Sequence, residues 1–211
     1  MLKFIPAAFC LLVLWNSCSQ PAPQTAEDTI DPAILISCEG IGPVKLSYSY
    51  EDLEKQFGAK ALSEHENNVT GKFTGLWEGE PRHINIYWKE KLPPYKNIRY
   101  LEVNQADGPY TTEKGLRVGI SLKDAVKMNG DMPVTFLNFY APGNSGQILS
   151  FNGGDIEKET PCISGRVEIA GNRNVREDEL AEFREKREVE SYDRLLERIT
   201  GAIGSIQVRN E

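Results

Sequence analysis

Hydrophobic and polar positions alternate most cleanly between Arg82 and Lys89. There Ile84, Ile86 and Trp88 fall on one side, and His83, Asn85, Tyr87 and Lys89 fall on the other. A period of two marks a β-strand with one buried face. Lys72 to Trp77, Ile98 to Val103, Val134 to Tyr140 and Gln147 to Phe151 read as further strands. Between the last two, Pro142-Gly143-Asn144-Ser145-Gly146 carries the residues of a turn.

Two segments share one helical pattern. Val44-Lys45-Leu46-Ser47-Tyr48-Ser49-Tyr50-Glu51-Asp52-Leu53 runs to Gly58, and Leu116-Arg117-Val118-Gly119-Ile120-Ser121-Leu122-Lys123-Asp124-Ala125 runs to Gly130. Each predicts a short strand, a tight turn and a short helix. Ser49 and Ser121 stand as N-caps, Asp52 and Asp124 occupy the capping-box position, and the glycines stop the helices. In the tail, Arg166 to Ile169 reads as a strand closed by Gly171-Asn172. From Val175 to Ile206, Leu180, Phe183, Tyr192, Leu195, Leu196, Ile199 and Ile203 recur at helical spacing among mixed charges, which predicts a long amphipathic helix.

These elements predict an α+β fold of two similar halves, each a short capped helix followed by antiparallel strands, with a C-terminal amphipathic helix added. The predicted organisation is a leader over 1–17, a tether over 18–31 and an α+β domain over 32–158. Its two pseudo-repeats span about 40–104 and 113–155, and a C-terminal strand and helix occupy 159–211.

The N-terminus changes the picture from a fold to a location. Lys3 is followed by an unbroken apolar run from Phe4 to Trp15, which is an export signal too short to span a bilayer. The run ends in Trp15-Asn16-Ser17-Cys18, which resembles the lipobox of bacterial lipoproteins, with Trp15 where an aliphatic residue is usual. That resemblance implies lipidation of Cys18 and attachment to a membrane through the N-terminal acyl chains. Residues 19–31, with two prolines and little to bury, read as a flexible tether.

Charge and composition narrow the function classes. The chain of 211 residues carries 31 acidic and 24 basic side chains, a net charge of -7. That balance lacks the basic footprint of a nucleic-acid binder. With Cys10 in the leader and Cys18 lipidated, Cys38 and Cys162 remain. In an oxidising compartment they form either a disulfide or two buried thiols, and geometry decides between these.

Candidate chemistry is thin. Gly143-Asn144-Ser145-Gly146-Gln147 resembles the nucleophile loop of trypsin-like proteases, but Gln147 replaces the final glycine. Neither His65 nor His83 sits in that family's histidine motif, so a hairpin turn explains the loop better. Glu64-His65-Glu66 reads as a loop whose adjacent residues do not share a face, which makes it a weak metal ligand set. No Gly-rich phosphate loop is present: Gly153-Gly154 lacks the Gly-Lys-Ser/Thr that would follow. Tyr87, Tyr95, Tyr100, Tyr110, Trp77 and Trp88 read mainly as sheet core and rim, with a carbohydrate- or peptide-binding surface as the sharper alternative. No catalytic residue, cofactor or metal site is assigned.

Gly40-Ile41-Gly42-Pro43-Val44-Lys45-Leu46, followed by Asp52-Leu53 and Gly58, resembles the opening of an uncharacterised family of bacterial envelope lipoproteins. In these, a second element is similar to Gly115 to Gly119, with an Asn-Gly like Asn129-Gly130 after its helix. The resemblance covers roughly residues 36–155 and brings no activity. A looser likeness links the helix-then-sheet pattern to β-lactamase inhibitor proteins and small outer-membrane assembly lipoproteins, and implies a protein-binding sheet face. The resulting expectation is a lipid-anchored, non-enzymatic binding or assembly module of the cell envelope with a protein partner there. The competing expectations are an envelope hydrolase using paired carboxylates in a groove between the halves, and a rigid spacer.

Overall fold

The computed structural model describes residues 30–68, 70–140, 142–143, 146–172 and 175–209; the leader, Cys18 and most of the tether lie outside them. The chain opens with three short strands, β1 (Ile36–Ser37), β2 (Gly40–Ile41) and β3 (Val44–Lys45), which form a small antiparallel sheet. Helix α1 (Tyr50–Phe57) follows, with strands β4 (Leu62–Asn67), β5 (Gly71–Leu76), β6 (Ile84–Trp88) and β7 (Ile98–Val103) after it. Next come α2 (Leu122–Met128), β8 (Thr135–Leu137), β9 (Ile148–Ser150) and α3 (Asp155–Glu159). The chain ends with β10 (Ile163–Asn172), α4 (Glu177–Glu185), β11 (Glu188–Glu190) and β12 (Ile199–Arg209).

The two capped helices form as their spacing predicts. The Ser49 hydroxyl accepts from the Asp52 N–H at 3.2 Å, and the Asp52 carboxylate accepts from the Ser49 N–H at 2.9 Å. Ser121 likewise accepts from the Asp124 N–H at 3.1 Å. One local exchange thus satisfies backbone donors that a helix start leaves orphaned. The halves diverge after their helices. The strands after α1 enter a six-stranded antiparallel sheet of order β10-β12-β7-β6-β5-β4, whereas those after α2 join β11 in a separate sheet of order β11-β8-β9.

The long C-terminal helix is not present. Of that span Glu177–Glu185 is α-helical, Arg194–Glu197 forms a single 3-10 turn, and Ile199–Arg209 is an eleven-residue strand between β10 and β7. The reason lies in a bulge at Gly204: Ser205 pairs with Arg166 and Ile203 with Val167, so Gly204 is skipped. The extra residue puts Ile203 and Ile206 on the same face, and with Ile199 they mimic an i, i+4, i+7 stripe. Thr200, Gly201 and Gly204, poor helix formers, reveal the true state. Glu64-His65-Glu66, expected in a loop, lies in edge strand β4, so His65 faces away from its two acidic neighbours.

Ile84, Ile86, Leu101, Ile203, Ile206 and Val208 are buried on one face of the large sheet. Both helices pack on that side: Leu122 of α2 lies against Gly201, and Tyr50 of α1 meets Trp88 at 6.3 Å between ring centroids. Cys38 and Cys162 are joined by a disulfide with Cα atoms 5.5 Å apart, tying the loop after β1 to the residue before β10. Among the described residues no helix is long and apolar enough to cross a membrane.

Candidate functional site on the polar face of the large sheet

The second face of the six-stranded sheet is unlike the first. Its alternate positions carry Ser63, His65 and Asn67 from β4, and Phe73 and Gly75 from β5. Asn85 and Tyr87 from β6 pair across to Tyr100 and Glu102 of β7, and those to Gln207 and Arg209 of β12. Ser164 and Arg166 of β10 complete the rows. Nearly every side chain here is polar or ends in a polar atom.

One row is a ladder of rings. His65, Phe73, Tyr87 and Tyr100 are consecutive cross-strand partners, stacked with centroids 5.0, 5.0 and 4.3 Å apart. Arg209, the next partner, places its guanidinium carbon 5.7 Å from the Tyr100 ring. Such direct cross-strand pairs fix register as well as adding contact. Because the rings stack face to face, their hydroxyl-bearing edges, not their π-faces, point into the groove.

The neighbouring row is a hydrogen-bonded chain. Arg209 donates to the Gln207 side-chain oxygen at 2.7 Å, and Gln207 donates to Glu102 at 2.8 Å. Tyr87 donates its hydroxyl to the other Glu102 oxygen at 3.2 Å. Burial, with Glu102 beside it, pushes the Tyr87 hydroxyl well above the usual tyrosine range, and the same two causes raise Tyr100. Both phenols therefore remain protonated donors at neutral pH.

The sheet curls around this face. Strands β4 and β10 are its opposite edges, yet Asn67 and Thr70 at one edge and Arg166 and Glu168 at the other line the same groove. The groove has a volume of about 810 Å³, and Phe139 and Gly143 border it. Ser205, 95% buried at 5% exposure, lines it with a hydroxyl that has no hydrogen-bond partner in the protein. A buried unpaired hydroxyl facing a polar cavity is a place for a water or a ligand atom.

At the far end of β4, Ser63 Oγ lies 3.0 Å from His65 Nε2, and Glu78 lies 3.2 Å from that same nitrogen. A nucleophile relay needs the hydroxyl on one imidazole nitrogen and the carboxylate on the other; this trio meets at one. Its members still perturb each other: the Ser63 hydroxyl, then His65, holds the Glu78 carboxyl below its usual range. His83 nearby is lowered, first by burial.

Of the residues singled out from sequence, Tyr87, Tyr100, His65 and His83 come together here. Tyr95, Trp88 and Tyr110 belong to the core, and Asn144 and Ser145 lie outside the described residues. Glu102, Arg166, Ser205, Gln207 and Arg209 were missed. Their signal was present as Tyr100-x-Glu102-x-Asn104, Ser164-x-Arg166-x-Glu168 and Ser205-x-Gln207-x-Arg209, polar positions spaced by two. Reading the tail as a helix hid the last of these. Comparison of the chain with protein-family models, with curated proteins and with solved structures returns no match.

Proposed function

We propose that this protein is a lipid-anchored, non-enzymatic binding module of the bacterial cell envelope, of the lipoprotein kind that its sequence resembles. Acyl chains on Cys18 hold it to the membrane, residues 19–31 form the tether, and the polar face of the large sheet receives a protein partner. The observation that carries this reading is that face itself. Stacked rings and a continuous hydrogen-bond chain present fixed donors and acceptors, Tyr87, Tyr100, Gln207 and Arg166, along a groove. Preorganised polar groups on a sheet recognise a partner at little ordering cost.

The test is site-specific photo-crosslinking in envelopes, with the crosslinker at Asn104 or Glu168 of the wild-type chain and of Arg166→Glu. A defined adduct that Arg166→Glu abolishes, while a Cys18→Ala chain leaves the membrane fraction, supports the reading. An adduct pattern indifferent to Arg166→Glu overturns it. One observation favours the hydrolase alternative, since Glu102 and Glu168 line the same groove. In that case Glu102→Gln and Glu168→Gln would each abolish turnover of a substrate identified by screening.

A further inference from the structure

The chain has two histidines, and the sheet brings both to one spot. Gly75 of β5 pairs with Ser63 on one side and Asn85 on the other. His65 stands one row to one side of Gly75, and His83, just before β6, one row to the other. Since Gly75 has no side chain, the two imidazoles lean toward each other over it. A Cβ built there would stand 3.1 Å from His83 Nε2, 3.3 Å from His65 Nε2 and 2.8 Å from Ser63 Oγ.

Three further facts concern the same space. His83 Nε2 is buried and has no hydrogen-bond partner. Glu78 places a carboxylate oxygen 3.2 Å from His65 Nε2. The His65 and Glu78 side chains are 31% and 51% exposed, so the pocket is closed at His83 and open to solvent opposite. Stacking on Phe73 fixes the plane of the His65 ring.

We propose that His65 and His83 form a two-imidazole site for a divalent transition-metal cation, copper(II) ahead of zinc, with the Glu78 carboxylate beside it balancing the charge. Neutral imidazole is a preferred ligand of both ions, and copper(II) stands above zinc for a given nitrogen set. Among the described residues no three His, Cys, Asp or Glu side chains are arranged to hold a metal ion. The cation therefore takes two protein nitrogens and keeps water on its remaining positions. Metal–nitrogen bonds of about 2.0–2.1 Å require the two rings to close further over Gly75. On binding, the His65 proton resides on Nδ1, Nε2 turns its lone pair to the cation, and Glu78 accepts from metal-bound water.

The experiment is calorimetric titration of the full-length chain with copper(II) chloride and with zinc chloride, with electron paramagnetic resonance of the copper form. Wild type, His65→Gln, His83→Gln and Gly75→Ala are compared, and the metal-free unfolding transition of each is recorded so that loss of fold is told from loss of ligand. The expected result is one copper per chain coupled to two imidazole nitrogens, weakened at least tenfold in each variant that folds. Gly75→Ala keeps both histidines and tests the space between them. Copper bound through a single imidazole, binding that survives His83→Gln unchanged, or no binding by folded wild type each overturns the proposal.

Discussion

Replacing Cys38 and Cys162 together by serine tests how far a cross-link, and not packing, holds the N-terminal sheet. The two cysteines are 124 positions apart. Closing a loop of that length removes about 16 cal/mol/K from the unfolded chain in the loop-entropy model, about 5 kcal/mol at 25 °C. The native side should change little, because Ile36, Ile41 and Val44 of the small sheet are buried at 1% exposure or less without the sulfur bond. The double variant should therefore keep the wild-type circular dichroism spectrum. It should unfold in urea with a free energy lower by up to about 5 kcal/mol and melt roughly 10–20 °C lower. A reductant should lower wild type to the same curve, since Cys38 is exposed. Oxidised wild type and the double variant unfolding within about 1 kcal/mol of each other would refute the reasoning, which ascribes the gain to the unfolded state. Free thiol at Cys38 in the purified, unreduced protein would remove its premise.

Asn129→Ala should cost about 2–5 kcal/mol by denaturant unfolding. The buried amide donates to the carbonyls of Met132 and Phe151 at 3.0 and 2.7 Å and accepts from the Ile156 N–H at 3.2 Å. Thr74→Val keeps the shape but strands the buried Trp88 indole N–H, now 2.9 Å from the Thr74 hydroxyl. It should lower stability by about 1–3 kcal/mol, whereas adding Trp88→Phe to it should recover part of that loss. Hydrogen bonds from the Ser49 backbone and hydroxyl lower the Asp52 carboxyl from its ordinary 3.8. A lowered folded value means the contribution is whole above the unfolded pKa and is lost as pH falls through the folded one. Amide protection at the start of α1, corrected for the intrinsic pH dependence of exchange, should therefore fall in acid below that ordinary value and stay constant near neutral pH. Gly146→Ala should be strongly destabilising by thermal melting, because Gly146 has φ +74 and a Cβ there would meet the Val167 carbonyl oxygen at 2.0 Å.

Much of the α+β fold was legible because its signals are local. A helix N-cap signal spans four residues, so Ser49-Asp52 and Ser121-Asp124 placed two helix starts, and Gly58 and Asn129-Gly130 marked where they stop. Strand β6 was legible because its two faces differ in polarity. Strand β4 was not, since Leu62-Ser63-Glu64-His65-Glu66-Asn67 is an edge with almost no apolar alternation. The candidate site was only half visible: Tyr87 and Tyr100 stood out as residues, but not as neighbours.

By itself the sequence determined where α1 and α2 begin and which positions of β6 are apolar. Tertiary structure decided everything that depends on register. The bulge at Gly204 resets which residues of β12 face the core, and no local period predicts it. Pairing across five strands assembles His65, Phe73, Tyr87, Tyr100 and Arg209 into one row. The absence of a side chain at Gly75 sets the two histidines over one space. Local propensity acts over a few residues, whereas pairing joins segments a hundred residues apart, and a site built from pairing becomes visible only once the sheet has closed.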